Sequence, residues 1–317
     1  TFTRLLVPRF TSYRELTDEK STYARMVQKM ADDENRNGLI IEDVCVALKE
    51  GRSPVVLTNL TAHVETLAGA LIPHCKHVIT LVGSESAKEK RQKMEYLQDI
   101  SLSEPLVIVA TGKYVGEGFD YPRLDTLFLA LPVSWKGLIA QYAGRLHREY
   151  PGKKEVRIYD YIDIRVPMCD VMYKRRLKGY ASVGYQIKSN APMDLFNESH
   201  SVFFNDLFNA KHSIVISATK LWFAKHSSVL DTLKGISAQG VEVVTFIKND
   251  LEKEKQLKGT GASIRVNDAL AIDVAIIDKS LIWYGSINYL GYNTDENNAI
   301  RIYNSILAEN IIEMLYT

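Results

Sequence analysis

The stretch "PVVLTNLTAHVETLAGALIPHCKHVITLVG", Pro54 to Gly83, decides how the chain is read. It opens with a short, apolar, β-branched run ended by Thr58 and Asn59, the pattern of a buried strand. TAHVETLAGAL then reads as an amphipathic helix and HVITLVG as a second strand. Strand, helix and strand in that order make a βαβ unit, hence a parallel sheet covered on both faces. The rhythm continues with helix SAKEKRQKMEYLQD, strands PLVIVAT and LDTLFLALP, helix LIAQYAGRLHR, strand KKEVRIYDYID and a helical tail from Pro167 to Ile187. Upstream, residues 22–50 read as helical, with ADDENRNG as an interhelix loop.

KSNAPMD (Lys188 to Asp194) is small and polar, with a proline, and marks a boundary. The expected domains are 1–190 and 191–317. The second reads as helix SVFFNDLFNA, strand HSIVIS, helix SVLDTLKGISAQG, strands VEVVTFI, SIRVN, DVAIID, LIWYGS and NNAIRIY, and helix SILAENIIEMLY. The expected class is α/β throughout, a parallel-sheet domain followed by a smaller α/β domain rich in strands.

Composition narrows the function classes. With 46% hydrophobic and 24% charged residues, the 317-residue chain is an ordinary globular protein. No apolar run approaches the ~18 residues of a membrane span, and no signal-peptide layout opens the chain, so the expectation is cytoplasmic, without a membrane partner. Cys45, Cys75 and Cys169 lie far apart with no metal-ligand spacing and read as free thiols. The net charge of +1 hides an asymmetry: residues 1–190 carry 28 Lys and Arg against 23 Asp and Glu, residues 191–317 carry 11 against 15. The densest basic run, KRRLKGY (Lys174 to Tyr180), is either a polyanion-binding patch or a solvated helix face.

Three segments of the first domain sit at strand-to-helix turns, where open α/β sheets bind ligands. The first carries Thr58 and Asn59. The second, VIVATGKYVGEGFDYP, carries Thr111 and Gly112 and then Glu117, Gly118 and Asp120 in a glycine-bearing loop. The third, QYAGRLHREY, places Gln141, Gly144, Arg145 and Arg148 at i, i+3, i+4 and i+7, one face of a helix. Arginine suits an anion there because its planar fork meets phosphate oxygens in a bidentate way and keeps its charge.

In order and spacing, TNLTAHVETLAGAL, ATGKYVGEGFDYP and QYAGRLHR resemble the second RecA-like domain of superfamily 2 helicases, over roughly residues 50–165. The resemblance implies that Arg148 is an arginine finger reaching the γ-phosphate of ATP, with Arg145 beside it. It implies that Gln141, Gly144, Glu117, Gly118 and Asp120 line the nucleotide, and that Thr58, Asn59, Thr111 and Gly112 contact a nucleic-acid strand, DNA favoured over RNA. ATP and Mg2+ are then the expected ligands. Yet the chain has no GxxxxGK[ST] loop to cradle phosphates. The nearest glycine pair, KGTGAS (Lys258 to Ser263), lacks the following Lys-Ser/Thr. A first RecA-like domain, joined through the strand and linker LVPRFTSYRE, is therefore the expected partner.

IIDKSLIWYGSIN (Ile276 to Asn288) resembles the end of the phospholipase D pattern, HxKxxxxD followed by GSxN, over about residues 194–317. Asp278, Ser286 and Asn288 take family positions, and Glu296 would complete the remains of the site. The His and Lys positions fall on Ala271 and Asp273. Alanine cannot attack phosphorus, and aspartate repels phosphate. The domain is therefore expected to be a degenerate half-unit, either a non-catalytic binding module or a set of structural turn formers. The rival reading is a restriction-type nuclease subunit, working as a dimer through this domain.

Overall fold

The computed structural model describes residues 2–14, 22–116, 119–133, 138–187, 193–197, 200–220, 228–285, 287–291 and 298–317. They divide into two units, 1–186 and 187–317.

The first unit alternates strands and helices in the order β1 (Thr3–Phe10), α1 (Tyr23–Asp32), α2 (Glu34–Lys49), β2 (Pro54–Thr58), α3 (Thr61–Leu71), β3 (His77–Leu81), α4 (Ala87–Asp99), β4 (Leu106–Thr111), α5 (Gly112–Gly116), β5 (Thr126–Leu129), α6 (Leu138–Leu146), β6 (Glu155–Ile162) and α7 (Pro167–Ser182), with the short β7 (Gln186–Ile187) at the end. Among the described residues the sheet runs β3-β4-β2-β5-β6-β1-β7. The pairings from β3 through to β1 are all parallel. Strands β2, β4 and β5 are buried along their whole length, because helices cover both faces. On one face, Ile40 and Val44 of α2 and Val64, Leu67 and Leu71 of α3 close over Val56, Val107 and Phe128. The fold is the expected α/β class with a six-strand parallel sheet.

Local chemistry explains several boundaries. Ser86 and Glu89 cap α4 reciprocally, so this very polar helix starts sharply. ADDENRNG is not a loop. Asp33 alone breaks the helix: its amide still bonds to Met30 O (3.4 Å), while its carboxylate accepts from Arg36 N (2.7 Å) and starts α2. LVPRFTSYRE opens with a strand, as expected. Its leading residues belong to β1, which pairs with β6 from Thr3↔Glu155 to Phe10↔Ile162, inside the sheet.

The described part of the basic run KRRLKGY is largely paired. Arg176 is buried, bonding Asp160 (2.7 and 2.9 Å) and Val133 O (3.0 Å), and Lys174 pairs with Asp170 (3.0 Å). Of the basic side chains described in that run, Arg175 is the one exposed to solvent.

The second unit contains β8 (Met193–Asn197), α8 (His200–Phe208), β9 (Ser213–Ala218), α9 (Ser228–Ala238), β10 (Glu242–Ile247), α10 (Leu251–Lys258), β11 (Ser263–Val266), β12 (Val274–Ile277), β13 (Leu281–Gly285), β14 (Asn298–Tyr303) and α11 (Ser305–Tyr316). Its sheet runs β11-β10-β9-β12-β13-β14-β8 among the described residues. Strands β11, β10 and β9 are parallel, and from β9 to β8 every pairing is antiparallel. Phe203 meets Trp283 and Tyr289 edge-on, with centroids 5.5 and 5.3 Å apart, at the centre of this core. Two elements escape the pattern reading. Helix α10, LEKEKQLK, buries only Leu257 and so shows no apolar period, although Asp250 caps it. Strand β8 lies partly within the stretch read as a linker and pairs with β14.

Candidate functional site

Helix α6 buries Tyr142, Ala143 and Leu146 and leaves Gln141 and Gly144 exposed, with Arg145 half-buried. The helix ends at Leu146, and the His147 amide closes its last turn on Ala143 O (3.0 Å). Arg148 therefore does not share the helical face with Gln141, Gly144 and Arg145. It lies in the turn that follows, ahead of Pro151, a residue that helices do not run into. The turn brings Arg148 Nε to 3.4 Å from Asp120 Oδ1, so the GEGFD and GRLHR segments meet. Both side chains are largely exposed. A pair of this kind is worth about 0–1 kcal/mol, and a phosphate could replace the carboxylate at little cost. Arg145 makes no ion pair among the described residues. Glu117 and Gly118 lie outside them.

The strand ends are arranged around packing. Gly112 opens α5 against the ring of Tyr142, and a Cβ there would collide with the Tyr142 hydroxyl. Thr111 is buried and its Oγ1 has no hydrogen-bond partner among the described residues. Thr58 is buried, with its hydroxyl donating to His63 Nδ1 (2.9 Å) and accepting from Leu60 N (3.4 Å). His63 Nε2 in turn donates to Asn37 Oδ1 (2.8 Å). A neutral ring satisfies both partners, and burial, helped by the Arg36 charge, pushes His63 down to about 4. Asn59 is exposed.

Beneath this edge lies an ionic network that sequence reasoning missed. Asp163, just past β6, accepts from Thr11 Oγ1 (2.6 Å) and from Arg36 Nε (2.9 Å) and Nη2 (3.2 Å), while Arg36 Nη1 donates to Ala130 O. Asp160, inside β6, holds Arg176 and accepts from Tyr180 OH (2.9 Å). These groups tie the ends of β1, β5 and β6 to α2 and α7. The signal was present in YDYID: charged residues in a buried strand need partners.

In the second unit, Asp278 heads a tight turn between β12 and β13 in which Asp278 and Lys279 have positive φ (49° and 51°). Aspartate tolerates that conformation better than most residues. Its carboxylate accepts from the amides of Lys211, His212 and Ser213 (2.7–3.2 Å). Burial raises its pKa, but these amides outweigh burial and hold it below the ordinary value. Asp273, at the family's Lys position, accepts from Thr219 N (2.6 Å) and Oγ1 (2.9 Å), and Ala271 is exposed. Asn288 Oδ1 accepts from Leu290 N (3.2 Å). Ser286 and Glu296 lie outside the described residues. Among the described residues no cluster of three or more His, Cys, Asp or Glu could hold a metal ion. Cys45, Cys75 and Cys169 are free thiols, and no described helix is long and apolar enough to cross a membrane.

Comparison with known proteins finds helicase-like homologues. The chain is 28% identical over 192 residues to protein 161L of invertebrate iridescent virus 6, which carries a provisional helicase name; the match covers 54% of this chain and 38% of 161L. It is 26% identical over 156 residues to the transcript termination protein A18 of myxoma virus, covering 48% and 32% of the two chains. The chain thus spans under two fifths of the length of these curated relatives. Among solved structures, T4 UvsW superposes on 58% of this chain and 41% of its own, with 18% identity and a TM-score of 0.48. No protein-family model matches the chain.

Proposed function

We propose that residues 1–186 are the arginine-bearing half of an ATP-driven helicase or translocase acting on nucleic acid. The observation that carries this reading is the meeting of Arg148 with Asp120, which unites two segments separate in sequence. ATP occupies a cleft whose other wall is a first RecA-like domain of the same parent chain, bearing the phosphate-binding loop and the Mg2+ ligands. Arg148 leaves Asp120 for the γ-phosphate and supplies positive charge where negative charge develops during transfer. Arg145 and Gln141 flank the nucleotide from α6. Asn59, exposed at the end of β2, faces the strand. The names of the relatives, a helicase and a transcript termination protein, agree with action on nucleic acid.

Residues 187–317 form, in this reading, a degenerate phospholipase D-like module that docks nucleic acid or a partner without cutting. Ala271 and Asp273 stand where a nucleophile and a phosphate-binding lysine are needed, and the Asp273 and Asp278 carboxylates are occupied by amides and a hydroxyl.

The test is Arg148→Ala in the protein assembled with the domain that supplies the phosphate loop. Turnover of ATP should fall by about 10³-fold or more, with unchanged circular dichroism. Wild-type turnover in the variant would sink the assignment.

A further inference from the structure

Arg148 stands on a turn, not a helix, so something must hold that turn in place. We infer that Lys153 is its positioning residue. The Lys153 ammonium donates to Pro122 O (2.6 Å), Arg148 O (2.8 Å) and Leu146 O (3.1 Å). An ammonium has three donors and no acceptor, and here all three are directed at main-chain carbonyls. Leu146 O belongs to the end of α6, where carbonyls lack helical partners and a cation is favoured. Arg148 O belongs to the finger itself. Pro122 O lies two residues beyond Asp120. One charge therefore ties the Arg148 backbone to the segment that follows Asp120.

The half-buried Lys153 is held by its surroundings. The ring of Phe2 lies 6.0 Å from the ammonium and 5.8 Å from the ring of His147. His147 is itself fixed by Tyr185, whose hydroxyl lies 3.0 Å from His147 Nε2. Burial pulls the Lys153 pKa below its ordinary value, and the Asp125 carboxylate works against that. The neighbouring Lys154 makes none of these contacts, so the choice between adjacent lysines is geometric.

The inference rests on the reading of Arg148 as the residue that meets the γ-phosphate, and the experiment keeps the two apart. Amide hydrogen exchange on the 317-residue chain reads the clamp directly. In Lys153→Met the amides of His147 and Lys153, which close on Ala143 O (3.0 Å) and Tyr150 O (3.1 Å), should exchange roughly tenfold faster or more, while those of β5 and β6 keep their rates. Lys153→Arg, which retains charge and donors, should recover most of the protection. Unchanged exchange in Lys153→Met overturns the inference. If β5 and β6 also loosen, Lys153→Gln, which keeps polar contact with fewer donors, takes its place under the same criterion.

ATP turnover with the complementary domain gives the second readout. Lys153→Met should lower kcat about tenfold or more with KM nearly unchanged, because the loss falls on transition-state contact. Full kcat in Lys153→Met beside an inactive Arg148→Ala overturns the positioning role. If Arg148→Ala is itself fully active, the reading of the site fails, and the positioning role fails with it whatever the exchange shows.

Discussion

His63 shows how one residue reports on its setting. Its ring is neutral in the folded chain because burial, helped by the Arg36 charge, holds its pKa near 4, and the neutral ring accepts from Thr58 at one nitrogen and donates to Asn37 from the other. In the unfolded chain the ordinary value of about 6.5 returns. Between these values the unfolded state binds more protons, so stability falls as pH drops from about 6.5 towards 4. His147, also pushed down to about 4 by burial with help from Arg4 and Lys153, adds in the same direction but is more exposed. Urea midpoints should therefore decline from pH 7 to pH 4.5. His63→Asn should show a shallower decline, and an identical slope would mean that His63 does not set it.

Segments such as α5 and α6 are fixed by contact more than by propensity. Alanine at Gly112 would gain up to about 1 kcal/mol of helix propensity, but its Cβ would strike the Tyr142 hydroxyl. Overpacking of this kind costs about 1–3 kcal/mol, so the collision wins. Gly112→Ala should lower the melting temperature, and Tyr142→Phe placed in the same chain should restore part of the loss. A stabilised Gly112→Ala would show that the ring moves aside freely. This contact also shows where legibility ended. The βαβ rhythm of residues 54–83 was readable because buried strands leave apolar runs and their helices leave periodic ones. The meeting of Tyr142 with Gly112, the three carbonyls on Lys153 and the Arg36–Asp163 pair were not, because each joins residues distant in sequence with no periodic trace. Helix α10 was missed for the opposite reason: it is local but buries almost nothing. The QxxGRxxR spacing was legible, yet it suggested a continuous helical face that Leu146 ends before Arg148.

At the scale of the whole molecule, two sheets each have their own core and no strand is shared between the cores described in the fold. Residues 187–317 expressed alone should therefore melt cooperatively and keep the near-ultraviolet signal of Trp283, which is buried against Phe203 and hydrogen-bonded to Asp206 (2.8 Å). A molten, non-cooperative product would show that the second core needs the first.

The place of β1 has a consequence for synthesis. Its neighbours in the sheet are β6 and β7, so β1, made first among the strands of this unit, waits for Glu155–Ile162 before it finds a partner. At about 5–20 residues per second, a ribosome takes roughly 8–30 s to cover that interval. For that time a nascent chain can close β2, β3, β4 and β5 but carries an unpaired apolar strand. The stretch TRLLVPRF, with Arg4 and Arg9 set among its apolar residues, is the unpaired segment a chaperone would hold in that interval.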